Sequence, residues 1–308
     1  MRLLVTGVSG FIGRNFAAYA AARGHDVVGI DVGPAPGPWP HIEADVRDSA
    51  ALERVLAEHS ITDILHGGGI SGPHVANENP ALVTAVNVAG TVGLFDAARH
   101  ASLPGRVVLL SSSSVYGKAW EQRSLTRACV ETDVLLASEP YGSSKVASEA
   151  MMRAYIDEFD LDAVALRVSI VYGPRRTTYC GITEMIGQAT DSGVIVLHEG
   201  ADLPLPWVHI DDVCTGLDAA FAAPREKVNN SGVHAYNVTG PGAPTFVGIA
   251  KAVASVVPGV SIEQGSGPDA YVMNARTMST DGAATDLGWT PTVSIDDGVA
   301  DLVAAQRT

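Results

Sequence analysis

The chain has 308 residues, a formal net charge of −14 and a hydrophobic content of 46%. That length and apolarity supply one large core or two fused ones. The acidity is spread along the chain without a block, which argues against nucleic acid, whose phosphates need a basic stripe.

Cys129, Cys180 and Cys214 lie far apart without C-x-x-C spacing, a pattern that speaks against a disulfide framework or zinc site and fits a reducing cytoplasm. Met1 and Arg2 run directly into Leu3-Leu4-Val5, leaving no room for a signal peptide. No apolar run is read as approaching the roughly 18 residues of a membrane span, so no membrane partner is expected. In chain order, short and nearly continuous apolar runs at 3–6, 26–30, 63–66, 106–111 and 163–168 predict strands buried on both faces. Between them, 13–23, 50–59, 81–100 and 141–159 predict helices. That alternation means α/β class and a doubly wound parallel sheet of Rossmann type. After Pro174 glycine and proline become denser, with helices near 211–221 and 245–257. The expected division is a dinucleotide-binding domain, 1–173 plus about 207–239, and a smaller, discontinuous C-terminal substrate domain, 174–206 and 240–308.

The first strand ends in Thr6-Gly7-Val8-Ser9-Gly10-Phe11-Ile12-Gly13 and enters a helix. Gly7 permits a tight turn, Gly10 lets the backbone approach a pyrophosphate, and Gly13 lets helix and strand pack closely. The phosphates then meet the free N–H groups of the helix start, where Phe11 and Ile12 stand. Asp31, at the end of the next strand, offers a carboxylate to ribose hydroxyls and would repel a 2′-phosphate. No Arg or Lys follows at once, so the cofactor is read as NAD, not NADP.

Tyr141-Gly142-Ser143-Ser144-Lys145 opens a helix, placing Tyr141 and Lys145 one turn apart on one face. A neighbouring ammonium is expected to lower the phenol's pKa and make Tyr141 an acid–base group, with Lys145 also free to hold ribose hydroxyls. The serine-rich strand end 111–114 supplies a hydroxyl to orient a substrate oxygen.

With Asp45-Val46, His66-Gly67-Gly68-Gly69, Asn87-Val88-Ala89-Gly90-Thr91, Val171-Tyr172-Gly173-Pro174-Arg175, Val208-His209-Ile210-Asp211-Asp212, Tyr236-Asn237-Val238 and Leu287-Gly288-Trp289-Thr290-Pro291, these motifs make the chain resemble the extended short-chain dehydrogenase/reductase family, the NAD-dependent epimerase/dehydratase group, over nearly its whole length. The resemblance implies Ser112, Tyr141 and Lys145 as catalytic residues. It implies that Asp45 and Val46 meet the adenine and that Gly67, Gly68 and Gly69 line the cofactor, although alanine is commoner there in the family. Asn87, Ser111, Tyr141, Lys145 and Val171 are counted with the cofactor-binding residues, Val171 beside the nicotinamide. His74, Ser113, Arg175, Arg176 and Arg276 are candidates for substrate contact. No metal is expected; His209 is read as preceding a helix whose first residues are Asp211 and Asp212.

Two departures narrow the chemistry. Ser113 and Ser114 stand where sugar dehydratases of the family carry Asp and Glu, and a hydroxyl cannot do a carboxylate's acid–base work at neutral pH. Leu205 stands where nucleotide-sugar epimerases carry a diphosphate-binding arginine. The reading is an NAD-dependent oxidoreductase acting on a free sugar, sugar acid or polyol. The alternatives are a UDP-sugar 4-epimerase that retains its NAD and a non-enzymatic NAD-sensing regulator. A homodimer is expected through helices 81–100 and 141–159, on the apolar residues Val83, Val86, Leu94, Phe95, Met151, Met152 and Tyr155.

Overall fold

Strand β1 (Arg2–Thr6) shows how the sheet is built: Leu3 and Val5 enter one apolar cluster and Leu4 the other, the alternation a pleated strand imposes when both faces are covered. The computed structural model describes residues 1–35, 37–72, 77–117, 127–228, 232–268 and 276–306. Helix α1 (Phe11–Ala22) leads to β2 (Asp26–Asp31), β3 (His41–Glu43), α2 (Ser49–Glu58) and β4 (Asp63–His66). Helix α3 (Pro80–His100), with a π turn at Ala85–Ala89, leads to β5 (Val107–Ser112), α4 (Pro140–Phe159) and β6 (Ala163–Val168). Then come β7 (Ile170–Tyr172), α5 (Gly181–Asp191), β8 (Val194–Glu199), β9 (Trp207–His209), α6 (Ile210–Ala222), α7 (Arg225–Val228), β10 (Ala235–Val238), α8 (Phe246–Val256), β11 (Ser261–Pro268) and α9 (Ile295–Gln306).

Seven strands form one parallel sheet in the order β10-β6-β5-β4-β1-β2-β3, the Rossmann-like α/β arrangement. The order reverses between β1 and β4, which opens a crevice at their carboxyl ends. One face packs Phe16, Ala17 and Ala20 of α1 with Val213, Leu217 and Ala220 of α6. The other packs Leu52 and Val55 of α2, Leu94 and Phe95 of α3, and Met152 and Tyr155 of α4. A third apolar cluster joins α5, β8, α8 and α9 through Ile182, Ile195, Ile249 and Val299. Asp212, buried on α6, accepts from the Thr292 N–H at 2.9 Å and the Val293 N–H at 3.0 Å, tying the approach to α9 to the Rossmann side. Arg106 falls just before β5, not within it. It pairs with Asp162 at 2.9 Å and donates to the Ala220 and Ala223 carbonyls at the end of α6.

One expectation is corrected by α3. That helix has 21 residues and a mean hydropathy of 1.5 over its best window, long and apolar enough for a bilayer. Here Leu94, Phe95, Ala97 and Ala98 are fully buried in the cluster that also holds side chains of α2, α4 and the sheet, while Leu82 stays exposed. The residues named for a dimer face are also mostly spent inside the chain. Val83, Leu94, Phe95, Met152 and Tyr155 are buried, and Val86 and Met151 half-buried.

Candidate active site

β1 and β4 are in register at Thr6 and His66, and each is followed by glycine. Gly7 has φ +73°, and a Cβ there would stand 2.5 Å from the Gly67 carbonyl oxygen; a Cβ on Gly13 would collide with the Gly7 carbonyl. Only glycine fits both positions. Gly10 is the N-cap of α1 and no side chain caps that helix, so the N–H groups of its first turn, with Phe11 and Ile12, stay free to meet an anion. At the end of β2, Asp31 accepts from the Ser9 N–H at 2.9 Å and the Val32 N–H at 2.8 Å, which fixes its carboxylate beside the turn. An uncapped helix start, a turn without Cβ atoms and a fixed carboxylate fit the diphosphate and ribose of a dinucleotide. Asp45 arrives as a closed ion pair. Arg47 grips it at 2.6 and 3.0 Å and holds its carboxyl below the ordinary range. Val46 is buried, and its side chain fills the space in front of Gly68 and Gly90.

The glycine run after β4 is explained by crowding. Cβ atoms on Gly67, Gly68 and Gly69 would stand 2.9 Å from Leu110, 2.5 Å from Val46 and 2.9 Å from Asn87. The Gly68 N–H donates to the Thr6 hydroxyl at 3.0 Å, and that hydroxyl meets His66 Nδ1 at 2.8 Å. His66 Nε2 meets Thr91, whose hydroxyl donates to the Asn87 carbonyl. The chain is consistent only with a proton on Nε2. Burial holds His66 neutral, its pKa pushed down to about 3. Asn87, in the π turn, binds the Ile70 N–H at 2.8 Å, the Ile70 carbonyl at 3.0 Å and Ser144 at 2.9 Å. Its side chain therefore joins the glycine loop to the helix of Tyr141. The side-chain amide of Asn87, counted above with the cofactor-binding residues, is taken up by these protein partners.

Helix α4 starts where the sequence places it. Glu139 caps it, accepting from the Tyr141 N–H at 2.7 Å and the Gly142 N–H at 2.6 Å, and Pro140 sets the first turn. Tyr141 and Lys145 are both more than nine-tenths buried, and the Lys145 ammonium lies 6.0 Å from the Tyr141 ring centre. It donates to the Leu110 carbonyl of β5 at 2.7 Å. Burial lowers its pKa to about 8, with the Glu149 carboxylate acting in the opposite direction. The phenol hydrogen-bonds with Ser112 and Ser71. In the polypeptide by itself the expected lowering of the Tyr141 pKa is reversed. Burial raises it most, the two serines offset part of the rise, and the Glu139 charge adds to it.

Ser112 also accepts from the Ser114 N–H at 3.1 Å. Ser111, expected at the cofactor, turns its hydroxyl to Glu149. Ser113 is buried, and its carbonyl accepts from Arg276 at 2.8 Å. Arg276 is itself buried. Arg175 has φ +66° and donates to Asn15 at 2.9 Å. Arg176 is bound to the carbonyls of Val171 and Tyr179. Val171 is buried on β7, and His74 lies outside the described residues. Leu205 is buried in the third apolar cluster. His209, Asp211 and Asp301 bring ligand atoms within 4.8 Å of one another. However, His209 Nδ1 accepts from the Asp211 N–H at 3.3 Å, which puts the ring proton on Nε2, facing Asp301.

Ser71 was missed by sequence reasoning. Its only signal is its place right after the glycine loop, in the same Ser-Gly-Pro-His stretch that drew attention to His74. Glu149 was missed as well, although it stands four residues beyond Lys145 on the same face.

The family model for the NAD dependent epimerase/dehydratase family matches residues 3–239. A UDP-glucose 4-epimerase of Mycolicibacterium smegmatis is 30% identical over 98% of this chain and 97% of its own. A dTDP-glucose 4,6-dehydratase of Xanthomonas campestris is 26% identical over 97% and 91%. The crystal structure of Thermus thermophilus UDP-glucose 4-epimerase with NAD superposes with a TM-score of 0.83 at 26% identity, covering 100% of this chain and 99% of that one. The chain belongs to the NAD-dependent epimerase/dehydratase family, and is an enzyme whose cofactor is NAD.

Proposed function

We propose that this enzyme oxidises a hydroxyl-bearing carbon of a small sugar-like compound: a free sugar, a sugar acid or a polyol. The observation that carries the reading is the Tyr141 phenol, buried between Ser112 and Ser71 with the Lys145 ammonium one turn below. NAD, held by Gly7, Gly10, Phe11, Ile12, Gly13 and Asp31, supplies a hydride acceptor and a cationic ring beside the phenol when bound. Tyr141 takes the substrate's hydroxyl proton, Ser112 orients the same oxygen, and Lys145 holds positive charge that favours the phenolate. Loss of the C–H hydride and the O–H proton leaves a carbonyl.

A small substrate is favoured by how the cations are used. Leu205 carries no charge, and Arg175, Arg176 and Arg276 all bind protein acceptors. The relatives named as nucleotide-sugar enzymes support the second reading, a UDP-sugar 4-epimerase. Incubation with free sugars, aldonates, uronates and UDP-sugars, following NADH absorbance and epimer formation, separates the two. Stoichiometric NADH from a free compound is the expected result. Epimerised UDP-sugar without net NADH overturns it in favour of the epimerase.

We further assign 174–206 and 240–308 to substrate binding and 1–173 with 207–239 to the cofactor. We place the enzyme in the cytoplasm, consistent with its buried free cysteines, and expect a homodimer. On α3 and α4, Leu82 and Phe159 remain exposed for a partner.

A further inference from the structure

Behind the catalytic pair lies a buried charged group with no part in the proposed reaction. Tyr141, Lys145 and Glu149 stand at i, i+4 and i+8 on α4, each less than one-tenth exposed, so they share one face. Glu149 is gripped by Arg167 of β6 at 2.7 Å, with further contacts at 3.1 and 3.2 Å, and receives the Ser111 hydroxyl. Arg167 lies opposite Ser111 in the β5–β6 register. Three consecutive residues of β5 are thus tied to one helix face. Lys145 binds the Leu110 carbonyl, Glu149 binds the Ser111 side chain, and Tyr141 meets Ser112.

We propose that Glu149 is a positioning residue of the active site: clamped by Arg167, its carboxylate keeps Lys145 an ammonium and, through Ser111, fixes the strand end that presents Ser112. The inference rests on the proposed role of Lys145. A buried ion pair stabilises a fold no better than apolar packing of the same shape. What apolar side chains cannot supply is negative potential beside a buried ammonium. The groups around Lys145 leave that task to Glu149. His66 of β4 is held uncharged. The Arg167 guanidinium is committed to Glu149, Tyr116 and the Glu131 carbonyl. The Asn87 amide is neutral, and the Glu131 carboxylate accepts from the Asn237 N–H. The Glu139 carboxylate is taken by the N–H groups that open α4.

The test reads the ammonium directly. The chain contains four lysines, so isotope-labelled lysine gives a sparse NMR spectrum in which Lys145→Met assigns the Lys145 signal. In the unaltered enzyme this signal is expected to titrate below the ordinary lysine range, at about pH 8. In Glu149→Gln the midpoint falls by about one pH unit or more, roughly a tenfold change in the protonation equilibrium. The double variant Glu149→Gln/Arg167→Gln leaves no Arg167 guanidinium stranded without its carboxylate and shows the same fall, while Glu149→Asp moves the midpoint back towards that of the parent. A midpoint unchanged in either folded variant overturns the proposal. So does a double variant that fails to fold, because Glu149 then serves the fold alone. NADH formation by the parent enzyme and by Tyr141→Phe is measured separately. Its failure removes the proposed reaction without touching the lysine titration.

Discussion

At the scale of single residues, the site is a set of buried polar groups whose partners decide their chemistry. Tyr141→Phe removes the proton acceptor but not its shape. NADH formation is expected to fall by at least about a hundredfold, while NAD affinity, followed by fluorescence titration, changes less than about twofold. His66 makes a second prediction. Its pKa in the folded chain is pushed down to about 3 by burial, against about 6.5 unfolded. The unfolded chain therefore binds the extra proton. The stability is fully present above pH 6.5 and drains as the pH falls towards 3, by about 1.4 kcal/mol per unit. Urea midpoints between pH 7 and 5 should show this slope, and replacing His66 with Asn should flatten it. The role of Tyr141 was legible in the sequence; that of His66 was not, since it is one of nine histidines. Its burial depends on Thr6 and Thr91, sixty residues before it and twenty-five after.

At the scale of elements, the helix starts carry the function, and their local sequence specifies them. Gly10 without a capping side chain leaves α1 open to an anion, whereas Glu139 closes α4 so that Tyr141 sits in its first turn. Gly13→Ala should lower NAD affinity by at least about tenfold, because the added methyl meets the Gly7 carbonyl and forces the phosphate-binding turn apart. Isothermal titration with NAD checks this. Glu139→Ala should cost about 1 kcal/mol in denaturant unfolding, the ordinary loss of an N-cap acceptor. The π turn of α3 was not predictable in the same way. Its extra residue places Asn87 between Ile70 and Ser144, and only those distant partners give it a purpose.

At the scale of the whole molecule, the parallel sheet brings the glycine turn, the serine strand end and the Tyr141 helix to one end of the strands. The C-terminal segments are held to that frame by Asp212, and by Arg276 through the Ser113 carbonyl. If α3 and α4 pair two copies, light scattering should give twice the 31.9 kDa mass of the chain, and Leu82→Glu with Phe159→Glu should return it to a monomer. A monomeric parent removes the dimer.

The sequence by itself determined whatever depends on short-range spacing. Unbroken apolar runs require strands covered on both faces, the glycines at 7 and 13 require a tight turn into a helix, and a four-residue step puts Tyr141 beside Lys145. The tertiary structure alone decided which way the polar side chains of 111–113 face, that Arg175, Arg176 and Arg276 are used by the protein, and that Ser71, Asn87 and Glu149 surround the catalytic pair. The physical reason is that a buried polar group must find its partner wherever the folded chain brings one, and that partner leaves no mark on the neighbouring sequence.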